Sequence, residues 1–577
     1  MTNLSALALR ALAVACLVFP VGDALAQPTP ADVEAAKAAA QAWLAQIDAR
    51  RYGDSWESAA HGLKVAGTKL AYEQGTYTVR VPVGAVKERT FRSASAINPP
   101  GKPGDYMAVE YATSFEALPT TPEIVLLVRE EGAWKPFSYS IKRAGDLTDV
   151  QLRMILRDRI DTAHRGVGIV VGTVDKSGRR VVSHGMTALA GGKPVDGDTL
   201  FEIGSLTKVF TALLFADAVE RGEVKVNEPL SKILPPSLKF RHAGTGEITL
   251  QELATHTSGL PRIPTNMPMK DPANPYADYT VAMLYDFLAA FDRSEPAGAK
   301  PQYSNLGMGL LGHVLALRAG MDYETLLRTR VLEPLGMKDT TIAMNAAARA
   351  RLATPHSATL DPTVPWDLPA LPGAGAIRST ANDLLRFAAA NLGLTPTPLA
   401  AAMRRTHRAV DAQGAQGLAW IVRNKGNVVM HDGVTLGSAA FMALDLEEKR
   451  AVVVLANSGT PVTDIALHLQ NRNAPLFVPP VQVLHRESKL ANAKDFDRYA
   501  GTFQLTPTFL IRIFREGERF YAQASGQDKL EIFRETDTLF FLKSVEATLG
   551  FEINGAGDVV ALTLNQNGVS TRGQRVP

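Results

Sequence analysis

Two groups of strand-like segments stand far apart in this chain with helices between them. That spacing limits the fold of the largest domain more than any other feature. Gly168–Val174 and Arg180–His184 flank Asp175-Lys176-Ser177-Gly178, a sequence suited to turning a hairpin. Strand patterning returns at Leu418–Arg423, Val428–His431, Ala439–Leu444 and Ala451–Leu455, and Asp464–Gln470 closes with a helix. Strands at both ends of a helical stretch imply one sheet assembled from distant sequence. The predicted domain spans 150–475 and opens on an amphipathic helix over Val150–Ala163.

Both flanks predict smaller domains. Ala31–Ala49 is Ala-rich, with Trp43, Leu44 and Ile47 at helical spacing. Tyr77–Val83, Tyr106–Phe115, Glu123–Val128 and Trp134–Ile141 alternate like antiparallel strands. Residues 31–145 therefore read as a small α+β domain, one helix against a strand meander. Pro475, Pro479 and Pro480 stiffen the surroundings of a linker over 476–489. Beyond it, residues 490–577 alternate in short runs such as Phe509–Phe514, Arg519–Ala522, Thr538–Lys543 and Val559–Leu564, the pattern of an antiparallel β domain, a small barrel. A chain of 577 residues is long enough for this multidomain plan at roughly 150 residues per domain.

The start of the chain bears on compartment. Met1–Arg10 is weakly basic, Ala11–Val21 is apolar, and Ala24-Leu25-Ala26 offers a signal-peptidase site, so residues 1–26 read as a cleaved signal peptide. The expected location is periplasmic or secreted. The single cysteine, Cys16, lies inside this leader. Its loss excludes disulfides, thiol nucleophiles and cysteine-bound metals from the mature chain. A second reading makes Cys16 a lipid anchor, whereas Pro20 and Asp23 deny the segment a membrane span. With 61 Lys plus Arg against 58 Asp plus Glu, and no basic run, nucleic acid is not an expected partner.

Chemistry concentrates at Phe201-Glu202-Ile203-Gly204-Ser205-Leu206-Thr207-Lys208. Residues three apart share a helix face, so Lys208 would sit beside the Ser205 hydroxyl. Val209–Arg221, stopped by Gly222, reads as the helix. An amine can take the proton of a weakly nucleophilic serine, and a serine at a helix N-terminus offers its own N–H to an oxyanion. Tyr303-Ser304-Asn305 adds a phenol for general acid–base work and an amide for a substrate carbonyl. His431-Asp432-Gly433 ends a strand where a substrate backbone could pair, with the Val434 N–H completing an oxyanion hole. His164-Arg165-Gly166 and His242-Ala243-Gly244 share that last pattern, so only order and context select it.

Together, and in this order, the motifs resemble the serine β-lactamases of class C and the related penicillin-binding DD-peptidases and esterases. Leu253-Ala254-Thr255-His256-Thr257-Ser258-Gly259-Leu260-Pro261, Glu333-Pro334-Leu335-Gly336-Met337 and Gly373-Ala374-Gly375 with Ser379-Thr380 extend the resemblance over about 300 residues. It implies a central α/β domain of the β-lactamase/transpeptidase type, an antiparallel sheet flanked by helices plus a helical region. It also implies Ser205 as acylated nucleophile, Lys208 as its activating partner and Tyr303 as general base and then acid. Which of Lys208 and Tyr303 takes the first proton stays open. Asn305, His431, Gly433 and Val434 would bind substrate, Val434 through its N–H beside that of Ser205. No metal or other cofactor is implied. The implied partner is a small-molecule or peptide substrate, a β-lactam or a D-amino-acid peptide of cell-wall type.

The third motif departs from the family's commonest Lys-Thr-Gly. A neutral histidine and an added Asp432 should weaken carboxylate recognition, which keeps a carboxylesterase, or a non-catalytic receptor or scaffold, as alternatives. Trp43, Tyr52–Trp56, Arg80 and Gly132-Ala133-Trp134 resemble an uncharacterised domain of exported bacterial proteins, and residues 490–577 resemble a lipocalin-like domain appended to such hydrolases. These accessory domains could mediate an oligomer.

Other patterns are decoys. Gly307-Met308-Gly309-Leu310-Leu311-Gly312 fits a dinucleotide fingerprint but follows no strand, so it reads as small residues for close helix packing. There is no His-Glu-x-x-His and no Gly-x-Ser-x-Gly. His256 reads as a structural hydrogen-bonder, and His407 and His468 as ordinary residues.

Overall fold

The computed structural model describes residues 28–576 apart from 102–103, 144, 239–245, 294–300, 412, 478–491, 507–508, 526–528, 543–546 and 567–568. The expected leader, with Cys16, and nearly all of the expected linker lie outside the described residues. Two compact units result, the first ending at Val478 and the second beginning at Pro479. Among the described residues no helix is long and apolar enough to cross a membrane.

The first unit opens with four helices, Pro30–Asp48, Tyr52–Glu57, His61–Ala66 and Lys69–Arg80. A four-stranded antiparallel meander follows, built of β1 (Val86–Ile97), β2 (Tyr106–Phe115), β3 (Thr121–Glu130) and β4 (Ala133–Ile141). Thr29 caps the first helix by accepting the Asp32 N–H at 3.1 Å, and the helix buries Trp43, Leu44 and Ile47.

Two expectations fail here. Tyr77–Val83 is not a strand: its first half ends the helix Lys69–Arg80 and its second is a 3-10 turn. Apolar alternation over so few residues suits either conformation, and the partners decide. Thr68 caps the helix at Ala71 N–H, Tyr77 donates its hydroxyl to Asp158, and Arg80 pairs with Asp48 at 3.1 Å. Strand β1 escaped notice because it is the sheet's edge. Its Lys-Glu-Arg-Thr start is largely exposed and carries no apolar alternation.

The helix predicted from Val150 runs over Asp149–Arg157 and continues as a π-turn to Thr162. Strands β5 (Gly168–Asp175) and β6 (Gly178–Gly185) form the expected hairpin, with Ser177 N–H donating to Asp175 at 2.7 Å. A short ladder joins β7 (Phe201–Glu202) to β8 (Arg378–Ser379). Then come β9 (Ile421–Arg423), β10 (Val428–Val434), β11 (Ala439–Asp445) and β12 (Arg450–Ala456). The antiparallel sheet runs β6-β5-β12-β11-β10-β9, so β5 meets β12 from the far end of the domain, as the strand spacing implied. The strand expected over Leu418–Arg423 shrinks to β9 because Ala419 adopts a φ of +61°, which breaks an extended run.

Alternation along β5 sends its side chains to two different cores. Val170 and Val174 face the helical side with Val453 and Leu455, Phe210 and Phe387, whose rings lie 4.3 Å apart. Ile169 and Val171 face the other way, with Phe441, Val452 and Val454. That second core is continuous with the N-terminal helices and meander through Trp43, Tyr77, Val109, Leu152 and Ile155. Each such side chain contributes roughly 1.5–3 kcal/mol when fully buried. The apolar core of residues 31–145 is thus in part continuous with that of the six-stranded sheet, beside small clusters of its own such as Val83, Phe115 and Ile141.

The second unit is a closed barrel of eight antiparallel strands from Gly501–Thr506 to Val569–Val576. Phe496, on a 3-10 helix, stacks on Phe520 at 4.1 Å, and Tyr499, Phe503, Phe540 and Phe551 fill the interior around it.

Asp158 is 4% exposed and accepts from both Arg50 and Tyr77, clasping the N-terminal helices to the π-turn. Asp158→Ala leaves two donors without their acceptor and should destabilise the chain by about 2–4 kcal/mol. Urea unfolding checks this, and an unchanged midpoint would count against the clasp.

Candidate active site

Ser205 lies in a 3-10 turn, Gly204–Leu206, that leads directly into the helix Thr207–Glu220. That helix is buried on every side from Thr207 to Ala218, as a central helix must be. One turn after the serine, Lys208 is 0% exposed and donates to Ser205 Oγ at 2.9 Å and to the Ala374 carbonyl at 2.7 Å. Thr211, on the same face, donates to the Gly373 carbonyl at 2.8 Å. The Gly373-Ala374-Gly375 segment thus forms the wall behind the lysine.

Strand β10 closes the serine's other side. A methyl group added at Gly433 would lie 1.9 Å from the Ile203 carbonyl oxygen and 2.9 Å from Ser205 N, so only glycine lets the strand approach this closely. Gly204 has a φ of +48°, and a methyl there would lie 3.0 Å from Val434 N. The backbones of Ser205 and Val434 are therefore drawn together. The third face is Tyr303-Ser304-Asn305 at the start of the helix Asn305–Ala319, which Ser304 caps by accepting Gly307 N–H at 2.8 Å. Tyr303 is hydrogen-bonded with Ser205. Ser205, Lys208, Tyr303, Asn305, His431, Gly433 and Val434 thus lie around one place in the fold.

Burial governs the charges. It pushes the Lys208 ammonium well below the ordinary lysine value, Arg262 adds to the shift and Asp432 opposes it. Burial pushes Tyr303 up to about 12. His431, buried beside the cationic side of the site, falls to about 4 and is neutral near pH 7, its Nδ1 2.5 Å from the Asp432 carbonyl. His256 falls to about 3, also chiefly by burial. Its Nδ1 accepts Ser304 N–H at 3.2 Å and its ring lies 4.7 Å from that of Tyr303, the structural place expected of it.

A cavity of about 250 Å³ opens over Ser205, reaching Asn305, Tyr276, Met267, Trp366 and Val434. Asn305 donates to the Tyr276 hydroxyl at 2.8 Å, while its Oδ1 is buried with no hydrogen-bond partner among the described residues. Sequence reasoning missed Tyr276, Trp366 and Arg262. The only available signal was that Arg262 directly follows the Leu253–Pro261 segment. The glycine triplet packs as expected: methyl groups would lie 2.6 Å from Leu371 at Gly309 and 3.1 Å from the Gly373 Cα at Gly312. His407 and His468 are buried, bonded to Asn391 and the Ala474 carbonyl.

Known proteins are similar over the same stretch. The family "Beta-lactamase" matches residues 155–474, with a "protein of unknown function" family (DUF4019) matching 39–139 and a "domain of unknown function" family (DUF3471) matching 485–575. Penicillin-binding protein 4* of Bacillus subtilis is 25% identical over 64% of this chain and 87% of its own. The D-alanyl-D-alanine-carboxypeptidase/endopeptidase AmpH of Escherichia coli is 31% identical over 40% of this chain, which spans 58% of that relative's length. A solved structure described as a class C beta-lactamase shares the fold at a TM-score of 0.50 and 23% identity, covering 57% of this chain and 98% of that one. The chain belongs to the β-lactamase family, within the superfamily of serine β-lactamases and DD-peptidases.

Proposed function

We propose that this family member is an exported hydrolase that forms an acyl-enzyme on Ser205 and cleaves amide bonds of β-lactams or D-amino-acid peptides. The observation that carries the reading is the buried Lys208 amine, 2.9 Å from Ser205 Oγ. Burial lowers the Lys208 pKa and so favours the free amine, which can take the hydroxyl proton as Oγ bonds to the carbonyl carbon. The N–H groups of Ser205 and Val434 receive the developing oxyanion. Tyr303, still a phenol with its pKa near 12, gives its proton to the departing amine as the C–N bond breaks. Water then adds its oxygen to the acyl carbon and gives a proton back to Tyr303, and Lys208 returns the first proton to Ser205 Oγ as the ester bond breaks and the carboxylic acid leaves.

Ser205→Ala should lower hydrolysis of an activated ester by at least ~10³-fold and abolish fluorophosphonate labelling. Retained labelling would move the nucleophile elsewhere.

His431 and Asp432 favour a second reading, a carboxylesterase of the same fold. A neutral imidazole and a carboxylate on β10 are poor partners for the ring carboxylate of a β-lactam. The expected result is faster turnover of an activated ester than of a cephalosporin at neutral pH, with labelling by both a fluorophosphonate and a fluorescent penicillin. Phosphonate labelling alone would leave the esterase, and neither label would leave a scaffold.

The pH profile tests the lysine. Because Asp432 raises the Lys208 pKa, Asp432→Asn should lower it further. The acid limb of kcat/KM, where protonated Lys208 is inactive, should then move to lower pH. A limb that stays or moves upward would exclude Lys208 as the titrating base.

A further inference from the structure

Among the residues lining the cavity over Ser205, Arg262 alone carries a charged side chain. The rest of the lining is largely apolar, including Ile263, Met267, Trp366 and Leu368. Arg262 is exposed, and no ion pair joins it to an acidic group among the described residues. Other arginines of the unit are held by carboxylates, for example Arg80 by Asp48, Arg89 by Glu123 and Arg293 by Glu252. What holds Arg262 is the ring of Tyr303, whose centroid lies 5.0 Å from the guanidinium. Its backbone is also fixed, because its carbonyl accepts the N–H of Asn305 at 2.9 Å and of Leu306 at 3.2 Å. A guanidinium stacked on the Tyr303 ring, on a residue whose backbone is fixed, presents a fork of donors that no acceptor among the described residues consumes.

We propose that Arg262 is a specificity-determining anchor for a substrate carboxylate, carried on the acyl portion held beside Asn305. The inference rests on the acyl-enzyme reading above and narrows its substrates to acyl donors bearing a negative charge on that side. It is independent of the carboxylate position beside β10, where His431 and Asp432 stand. The apolar lining takes the carbon chain between scissile carbonyl and carboxylate, and the guanidinium takes the end of it. A carboxylate there accepts charge-assisted hydrogen bonds from the guanidinium, which an uncharged chain end cannot replace.

Two activated esters with matched chains test this: p-nitrophenyl hexanoate and the mono-p-nitrophenyl ester of adipic acid, which differ by one terminal carboxylate. The full-length enzyme should prefer the adipate ester by kcat/KM. Arg262→Gln should lower the adipate-to-hexanoate ratio by about tenfold or more, the loss expected for a charge-assisted contact. Arg262→Glu should shift preference toward the p-nitrophenyl ester of 6-aminohexanoic acid, whose chain ends in an ammonium. A merely structural role, such as supporting Tyr303, would depress both esters together and leave the ratio intact, and that result would overturn the proposal. Failure of the unmodified enzyme to turn over either ester, or to be labelled by a fluorophosphonate, would instead remove the acyl-enzyme reading and the anchor with it.

Discussion

A lysine shut away from water beside a serine hydroxyl is the constraint on which the rest of the structure depends. Its ammonium form has a carbonyl oxygen for company, not a carboxylate, so the low-dielectric surroundings favour the free amine. Keeping it so requires a helix with no solvent face, and Thr207–Glu220 is packed on all sides between sheet and helices. It requires a wall behind the amine, which the Pro372–Ala374 turn supplies. It requires a strand in front that closes without a side chain, which Gly433 permits. Sheet order, helix packing and glycine placement all serve one buried nitrogen whose charged form burial disfavours.

Much of this was legible where periodicity alone determines contact. Ser205 and Lys208 share a helix face whatever surrounds them. The hairpin at Asp175–Gly178 announces itself by its turn residues, and the barrel by its short alternating runs. Less was legible where long-range partners decide. Tyr77 alternates with its apolar neighbours as a strand residue would, but its hydroxyl seeks Asp158, far along the chain, and a helix delivers it there. Edge strand β1 lacks the apolar stripe that would betray it. The cavity is assembled from loops after Pro261 and before Leu368, and no local pattern encodes their meeting.

The accessory parts differ in what they are to the core. The described part of the barrel's interior holds a core of stacked and edge-on aromatic rings. The helix Thr463–Gln470 packs on β11 and β12, and the N-terminal helices and meander continue the same apolar core beyond it.

This shared core also sets a sequence of events for the chain as it is made. The N-terminal helices and meander are synthesised first, and β5 soon after, but β12, which β5 must pair with, arrives only once the whole helical region has been synthesised. Until then an apolar sheet face and an unpaired strand edge are both open. Non-local pairing of this kind is slow, and the waiting surfaces are those on which chains stick to one another. The same topology that seals the lysine therefore makes this a protein whose yield depends on protection during its own assembly.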